Sequence, residues 1–502
     1  MIKLKLAMCI GLLVSSLNLL AQDPAAQKYG NLITESDLKE NLSILASDAF
    51  EGRETGKRGQ KIAAAFVRAH FEDIGLTGPV NGDYYQPVEL YTSIPGEIYI
   101  KSGQNKYNNF EEVVYYGSNI TEGEITLPIV FAGKGSKEDF DQVSVEGKAV
   151  MVMVSSEGNF RAPLGLAREK GAKIVFVVNP DTKAFPELLS QFKGFLSGGS
   201  LSVENPKTKA SKNAGTFFIS TAVAAKLLSS TLEKLTKASE EDVKKTPLKK
   251  MKPGTVTFKT SMDVKILKSE NVLGFLEGTD KKDEIVIITS HYDHIGILKS
   301  GEGDRINNGA DDDGSGTVSV MQISKAFAQA KKEGKGPRRS ILFMTVTGEE
   351  KGLLGSDYYT QHPIFALDKT VVDLNIDMVG RRDSLHAKSA PYVYVIGSDK
   401  LSTELHTISE NTNKATTNLI FDYTYNDQNH PDRLYYRSDH WNFAKNNIPI
   451  IFYFDGIHED YHKPSDEVEK IEFDLLAKRA QTVFYTAWEI ANREGRIAVD
   501  KK

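Results

Sequence analysis

Cysteine is all but missing from this chain. Of 502 residues only Cys9 is a cysteine, and it lies in an apolar run near the beginning of the sequence. If that run is removed on export, no thiol remains. This excludes a disulfide framework, a cysteine nucleophile and a thiolate metal site. A dominant charge is missing as well. The chain has 62 basic and 67 acidic residues and a formal net charge of −5, which leaves no electrostatic footprint for nucleic acid and does not favour a membrane surface. Long hydrophobic runs are also scarce. The opening residues carry Lys3 and Lys5, then about a dozen apolar residues, then a small-residue exit at Ala21. That pattern reads as a secretory signal peptide over residues 1–21 and is short for a membrane span. An uncleaved anchor is the alternative. The expectation is an exported protein, periplasmic or secreted, with no stable membrane insertion after processing. No internal repeat and no low-complexity tract is visible.

What is present is ordinary globular material, 40% hydrophobic and 26% charged, and the length suggests two or three units. Residues 36–77 read as helical, with a loop carrying Glu51-Gly52-Arg53. Ile62, Ala65, Phe66, Ala69, Phe71 and Ile74 fall at helical spacing. Around residue 88 short β-like runs begin, at 98–100, 113–116 and 127–131. A buried strand over 148–154, a helix near 163–171, a strand over 173–178 and a helix over 222–235 follow. The Lys-rich run at 232–252 reads as a solvated face or loop. From Asn271 strands and helices alternate: strands at 285–289, 340–347, 370–376, 391–396 and 448–454, helices at 316–329 and 472–492. Such alternation predicts an α/β fold with a mixed, mostly parallel sheet sandwiched by helices. The domain reading is a leader over 1–21, a main domain from 22–87 and 263–502, and an inserted α/β or β-rich domain over 88–262.

Five short segments carry chemistry, each at or beyond the end of a predicted strand, the edge where open α/β sheets bind ligands. Ser290-His291-Tyr292-Asp293-His294 offers a histidine whose other ring nitrogen Asp293 can fix. Gly309-Ala310-Asp311-Asp312-Asp313-Gly314 places three carboxylates in succession, which repel unless a cation or donors balance them. Helix capping is the plainer reading there. In Thr347-Gly348-Glu349-Glu350 one glutamate can bind metal while the other accepts a proton. Asp377 closes an apolar strand, and His462 follows a strand and a loop. A lone buried Asp or His of this kind is more often a satisfied structural group. Together, nitrogen and oxygen donors without sulfur suit catalytic zinc, and the set is enough for two ions if one carboxylate bridges them.

In type, order and spacing these segments resemble the M28 family of metallopeptidases, which includes co-catalytic zinc aminopeptidases. The resemblance covers about residues 36–85 and 265–490 and implies a zinc exopeptidase fold. It implies that His291, Asp311, Glu350, Asp377 and His462 hold two zinc ions, with Asp311 bridging. It implies Glu349 as general base and Asp293 as the group that orients His291. The insert resembles a protease-associated (PA) domain through Gly147–Val154 and Ala167–Asn179, domains thought to shape substrate access. Arg437-Ser438-Asp439-His440 resembles the family's Ser-Asp-His stretch. Asp439 and His440 could contact substrate or support a metal ligand, whereas the plainer reading makes Ser438 a helix cap. His294 and Tyr461 read as neighbours of the ligands or as packing.

The expected activity is an exopeptidase acting on peptide substrates, favouring aminopeptidase polarity. Arg437 keeps a carboxypeptidase reading open. The alternatives are a glutaminyl cyclase-like transferase with one zinc and an inactive, receptor-like binding protein.

Overall fold

The computed structural model describes residues 23–117, 119–155, 160–208, 215–240, 248, 251–427 and 429–501. The expected leader and Cys9 lie outside them. Two compact units result: the described residues up to Val88 together with Ser269–Lys502, and Glu89–Lys268. The sequence reading cut at 87/88 and 262/263, and the second boundary falls inside a strand, Gly254–Leu276.

In the first unit, strands β1 (Gly254–Leu276, through its last residues), β2 (Lys281–His291), β3 (Arg339–Val346), β4 (Thr370–Ile376), β5 (Tyr392–Ile396), β6 (Ile420–Asp422) and β7 (Ile450–Phe454) lie in the order β6-β5-β7-β4-β2-β3-β1. The four central strands are mutually parallel. β1 and β5 run antiparallel to their neighbours β3 and β7, and β6 is parallel to β5. The central strands read as continuous apolar runs because both faces are covered. Val286 and Ile288 enter one core, with Val318, Met321 and Ile323 of helix α3 (Gly316–Lys332) and Leu476, Val483 and Phe484 of helix α7 (Phe473–Asn492). Ile285 and Ile287 enter the other, with Tyr359 of α4 (Leu354–Gln361) and Phe443 of α6 (His440–Ala444). Helices α1 (Glu35–Leu45) and α2 (Arg58–Asp73) contribute Leu38, Leu42, Ala63, Val67 and Phe71 to the first core, and α5 (Thr403–Ala415) contributes Leu405.

Consecutive strands β2 and β3 are adjacent, and β4 then returns to the other side of β2. That reversal is a topological switch point, and a crevice opens at the carboxyl ends of the strands flanking it. His291 is the last residue of β2, Asp377 follows β4 directly, and Glu349 lies three residues past β3.

The second unit has a parallel run of strands of its own. Ile125–Phe131, Ala149–Met153, Ile174–Val178 and Gly215–Ile219 are parallel, with Val113–Tyr116 and the first part of Gly254–Leu276 antiparallel at its two sides. The expected single helix over 222–235 is two, Thr221–Leu227 and Leu232–Glu240, separated at Ser229, whose φ of 47° is left-handed and ends the first helix.

Candidate metal centre

Three aspartates in a row are tolerable because each has a different task. Asp313 is fully buried and accepts from three backbone N–H groups, of His291 (3.1 Å), Gly316 (2.9 Å) and Met378 (3.1 Å). It thereby ties the ends of β2 and β4 to the start of α3. A Cβ at Gly316 would lie 2.3 Å from Asp313 Oδ1 and 2.5 Å from the Ile376 carbonyl, so only glycine fits there. Asp311, also fully buried, accepts from Gly380 N–H at 2.7 Å and lies 3.2 Å from His458 Nε2. Asp312 is the one that faces the crevice. Its Oδ1 is 3.3 Å from His291 Nε2, and its Oδ2 is 3.1 Å from His462 Nε2 and 3.8 Å from His294 Nδ1.

This corrects one residue of the expected ligand set. The side chain between the histidines is Asp312, and Asp311 points away into a buried pair with His458. Gly309 turns the chain at φ 57°, where a Cβ would meet the Asp312 carbonyl at 2.2 Å, and Asp311 and Asp313 are held by Gly380, His458, His291 and Met378, which leaves Asp312 facing inward.

Around Asp312 two donor groups form. His291 Nε2 lies 3.5 Å from Asp377 Oδ1 and 3.9 Å from Glu349 Oε2. Glu350 Oε1 is 2.7 Å from His294 Nδ1, and its Oε2 is 3.1 Å from His462 Nε2. The sets His291–Glu349–Asp377 and His294–Asp312–Glu350 each bring their donor atoms within 4.8 Å of one another. His462 lies outside both sets but touches two members of the second. Its ring stacks on Tyr461 at 3.8 Å.

The electrostatics favour positive charge among these carboxylates. Burial disfavours a charged His462, yet Asp312 and Glu350 outweigh it and lift the ring to about 10. Burial and Asp312 work against an ionised Glu350, but His294 and His462 bring it down to about 2. Burial, then Asp377 and Glu350, hold the Glu349 carboxyl well above the usual range, with His291 opposing. His462 Nε2 is buried 3.1 Å from Asp312 and from Glu350 without a well-aligned hydrogen bond to either. A ring nitrogen so placed, crowded carboxylates and an all nitrogen–oxygen donor set fit zinc.

The outer groups differ from expectation in places. Asp293 does not reach His291 with its carboxylate, which is 4.0 Å from Nδ1; its backbone carbonyl is nearer, at 3.1 Å. The Asp293 carboxylate instead accepts from Glu349 N–H (3.2 Å) and from Thr55 Oγ1 (2.6 Å), positioning the Glu349 turn. Ser438 makes no side-chain cap on α6. It donates to Asp377 Oδ2 at 2.6 Å and accepts from Asn375 Nδ2 at 2.9 Å, so it orients a candidate ligand. Asp439 is buried behind it, accepting from Ser356 Oγ at 2.5 Å, and burial raises its carboxyl to about 7. His440 is turned away: Nε2 meets the Tyr435 carbonyl at 2.8 Å, the ring stacks on Phe452 at 4.6 Å, and burial lowers it to about 3. Neither Asp439 nor His440 lines the pocket. The pocket is bounded by His291, Asp312, Glu349 and Asp377 at one end and by Met378, Phe452, Phe454, Ile457, Tyr461 and Arg437 beyond. Asp312, Asp313 and Thr55 were not singled out from sequence. For Thr55 no local signal exists, since its partner is 238 positions away.

The chain is similar to several known proteins. Aminopeptidase YwaD of Bacillus subtilis is 26% identical over 242 residues, 47% of this chain and 47% of that protein. A probable glutamate carboxypeptidase, LAMP1 of Arabidopsis thaliana, is 30% identical over 140 residues, 28% of this chain and 19% of its own length. The chain thus spans about half the length, or less, of these curated relatives. The solved structure of an aminopeptidase from Aneurinibacillus sp. strain AM-1 has the same fold, with a TM-score of 0.54 at 19% identity, covering 95% of this chain and 98% of that one. Residues 271–487, which hold every candidate ligand, match the peptidase family M28 model, and the chain carries a domain of that family.

Proposed function

We propose that the chain is an exported zinc exopeptidase, an aminopeptidase that removes N-terminal residues from peptides. The observation that carries the proposal is Asp312, whose two oxygens face His291 on one side and His462 on the other. His291, Asp377 and Asp312 would hold one zinc ion, and Glu350, His462 and Asp312 a second. Zinc held there would supply Lewis-acid activation of water and of the scissile carbonyl. Glu349 takes a proton from the attacking water and returns it to the leaving amine. Asp293 holds the Glu349 turn through the Glu349 N–H. Asp377 and Tyr461 offer acceptors for the substrate's free amine, and Met378, Phe452, Phe454 and Ile457 form an apolar wall beside them.

A carboxypeptidase reading has one specific support. Arg437 lines the same pocket with an exposed side chain and could meet a substrate carboxylate. A peptide series blocked at one terminus or the other separates the two polarities. Export rests on residues 1–21, and among the described residues no helix is long and apolar enough to cross a membrane. The protease-associated reading of the insert rests on its sequence alone.

The test is elemental analysis of the purified chain with a screen of free-terminus aminoacyl and dipeptide substrates. Two zinc ions per chain are expected, where one would favour the cyclase-like transferase. Glu349→Gln is expected to keep zinc and lose turnover by about two orders of magnitude or more. Turnover near that of the unaltered chain would remove Glu349 from its role.

A further inference from the structure

We infer that Arg53 is a positioning residue that holds the two ligand-bearing loops in register. The inference rests on the metal-centre reading above. Arg53 is fully buried, yet it makes no ion pair among the described contacts. Its five N–H groups all go to main-chain carbonyls. Nε donates to Tyr292 (2.9 Å), Nη1 to Leu45 (3.2 Å) and Asn308, and Nη2 to Gly309 (2.9 Å) and Asp312 (3.4 Å). Four of these acceptors lie in the segments that present His291 and His294 on one side and Asp312 on the other. One planar guanidinium therefore ties the end of β2 to the aspartate loop.

The backbone around Arg53 is bent to deliver it. Glu51, Gly52 and Arg53 have φ of 52°, 63° and 50°, three left-handed residues in succession, of which only Gly52 adopts that region freely. The same loop is stitched to the β2 extension. Arg53 O accepts from His294 N–H at 3.1 Å, and Gly52 O from Gly296 N–H at 2.9 Å. A Cβ on Gly52 would lie 2.5 Å from the Asn307 carbonyl and 2.7 Å from that of Gly296. Strain of this kind persists only where its surroundings over-determine it, and it gathers at sites that need pre-set geometry. Burial works against the Arg53 charge, and the fields of Asp312, Asp466, Asp313 and Asp293 work for it. The cation thus also offsets the negative charge of the aspartate run from behind.

A merely structural arginine would look similar, and the chain supplies one for comparison. Arg339 is equally buried and donates to the carbonyls of Ile490 (2.8 Å) and Arg493 (2.7 Å), at the end of α7, as well as to Glu284. The experiment sets Arg53→Lys against Arg339→Lys. A lysine keeps the charge but cannot span five carbonyls. Zinc affinity is measured by competition with a chelator, and the metal-free melting temperature by circular dichroism. Both variants are expected to melt earlier. Only Arg53→Lys is expected to lose zinc affinity, by about 10–100-fold, the usual effect of removing a group that orients ligands. Gly52→Ala, which displaces the loop while keeping the arginine, is expected to do the same, and it decides the matter if Arg53→Lys does not fold. Unchanged zinc affinity, or an equal loss in Arg339→Lys, overturns the inference. No peptide enters this measurement, so a chain that binds zinc without cleaving peptides refutes the peptidase reading and leaves this one standing. A wild-type chain that binds no zinc overturns both.

Discussion

The sharpest test of the site separates two adjacent aspartates. Asp311 and Asp312 are both buried, and the structure gives them opposite roles. Asp311→Asn keeps an oxygen for the Gly380 N–H but removes the charge 3.2 Å from His458. Losing one partner of a buried pair costs about 3–5 kcal/mol. With the hydrogen bond retained, a loss near the lower end, about 3 kcal/mol, is expected. For a unit of this size each kcal/mol moves the melting temperature by about 2–4 °C, so the variant should melt roughly 6–12 °C earlier while its folded fraction still binds zinc and turns over. Asp312→Asn removes a carboxylate that faces His291 at 3.3 Å and His462 at 3.1 Å. Those histidines hold its charge in the metal-free fold too, so this variant should also melt earlier, by an amount similar to Asp311→Asn, and the two are told apart by zinc and turnover. Zinc affinity should fall at least about 100-fold, equivalent to about 2.7 kcal/mol, and turnover by about three orders of magnitude, because the loss falls on both proposed ions. The assay is melting of the metal-free proteins, zinc content after dialysis, and hydrolysis of a free-terminus aminoacyl substrate normalised to folded protein. Asp312→Asn retaining zinc and turnover, or Asp311→Asn losing zinc without melting earlier, would refute the assignment.

Other predictions follow from single contacts. Ser438→Ala removes the 2.6 Å hydrogen bond to Asp377 and should weaken zinc binding about 10–100-fold; an unchanged chelator-competition curve would return Ser438 to a purely structural role. His440 is held neutral by burial, with its folded value at about 3 against about 6.5 when unfolded. The unfolded chain therefore takes up the proton first, and stability present above pH 6.5 is lost as pH falls toward 3, at most about 1.4 kcal/mol per pH unit. His440→Phe, which keeps the stack on Phe452, should flatten that acid limb in urea melts between pH 6 and 4, and parallel slopes for the two proteins would contradict it.

Much of the fold was legible because burial on both faces leaves a direct mark. Ile285 to Ile288 read as an unbroken apolar run since alternate residues enter two different cores. The types of ligand were legible for a related reason. In a parallel sheet the chain leaves every central strand at the same edge, so polar residues just past apolar runs converge there without any further information. His291, Glu349 and Asp377 were singled out in this way, and the structure brings them together. The broken helix around Ser229 was not, because one left-handed residue carries no periodic signal.

What remained hidden was phase. Three identical aspartates offer no local sign of which one faces the crevice. Their assignment is made by partners far away in sequence: the Gly380 N–H and His458 for Asp311, the N–H groups of His291 and Met378 for Asp313. Asp312 is left to face the crevice by exclusion, since its two neighbours are already claimed by the backbone and by a buried histidine. Ser438 follows the same logic. Its position before α6 suggested a cap, but its hydroxyl is spent on Asp377, 61 positions away. The Glu51-Gly52-Arg53 segment read as a loop because no pattern of spacing marks a residue whose acceptors are carbonyls, which every residue possesses. The residues least visible in this sequence are therefore those that act through the main chain, as Arg53 does through five carbonyls.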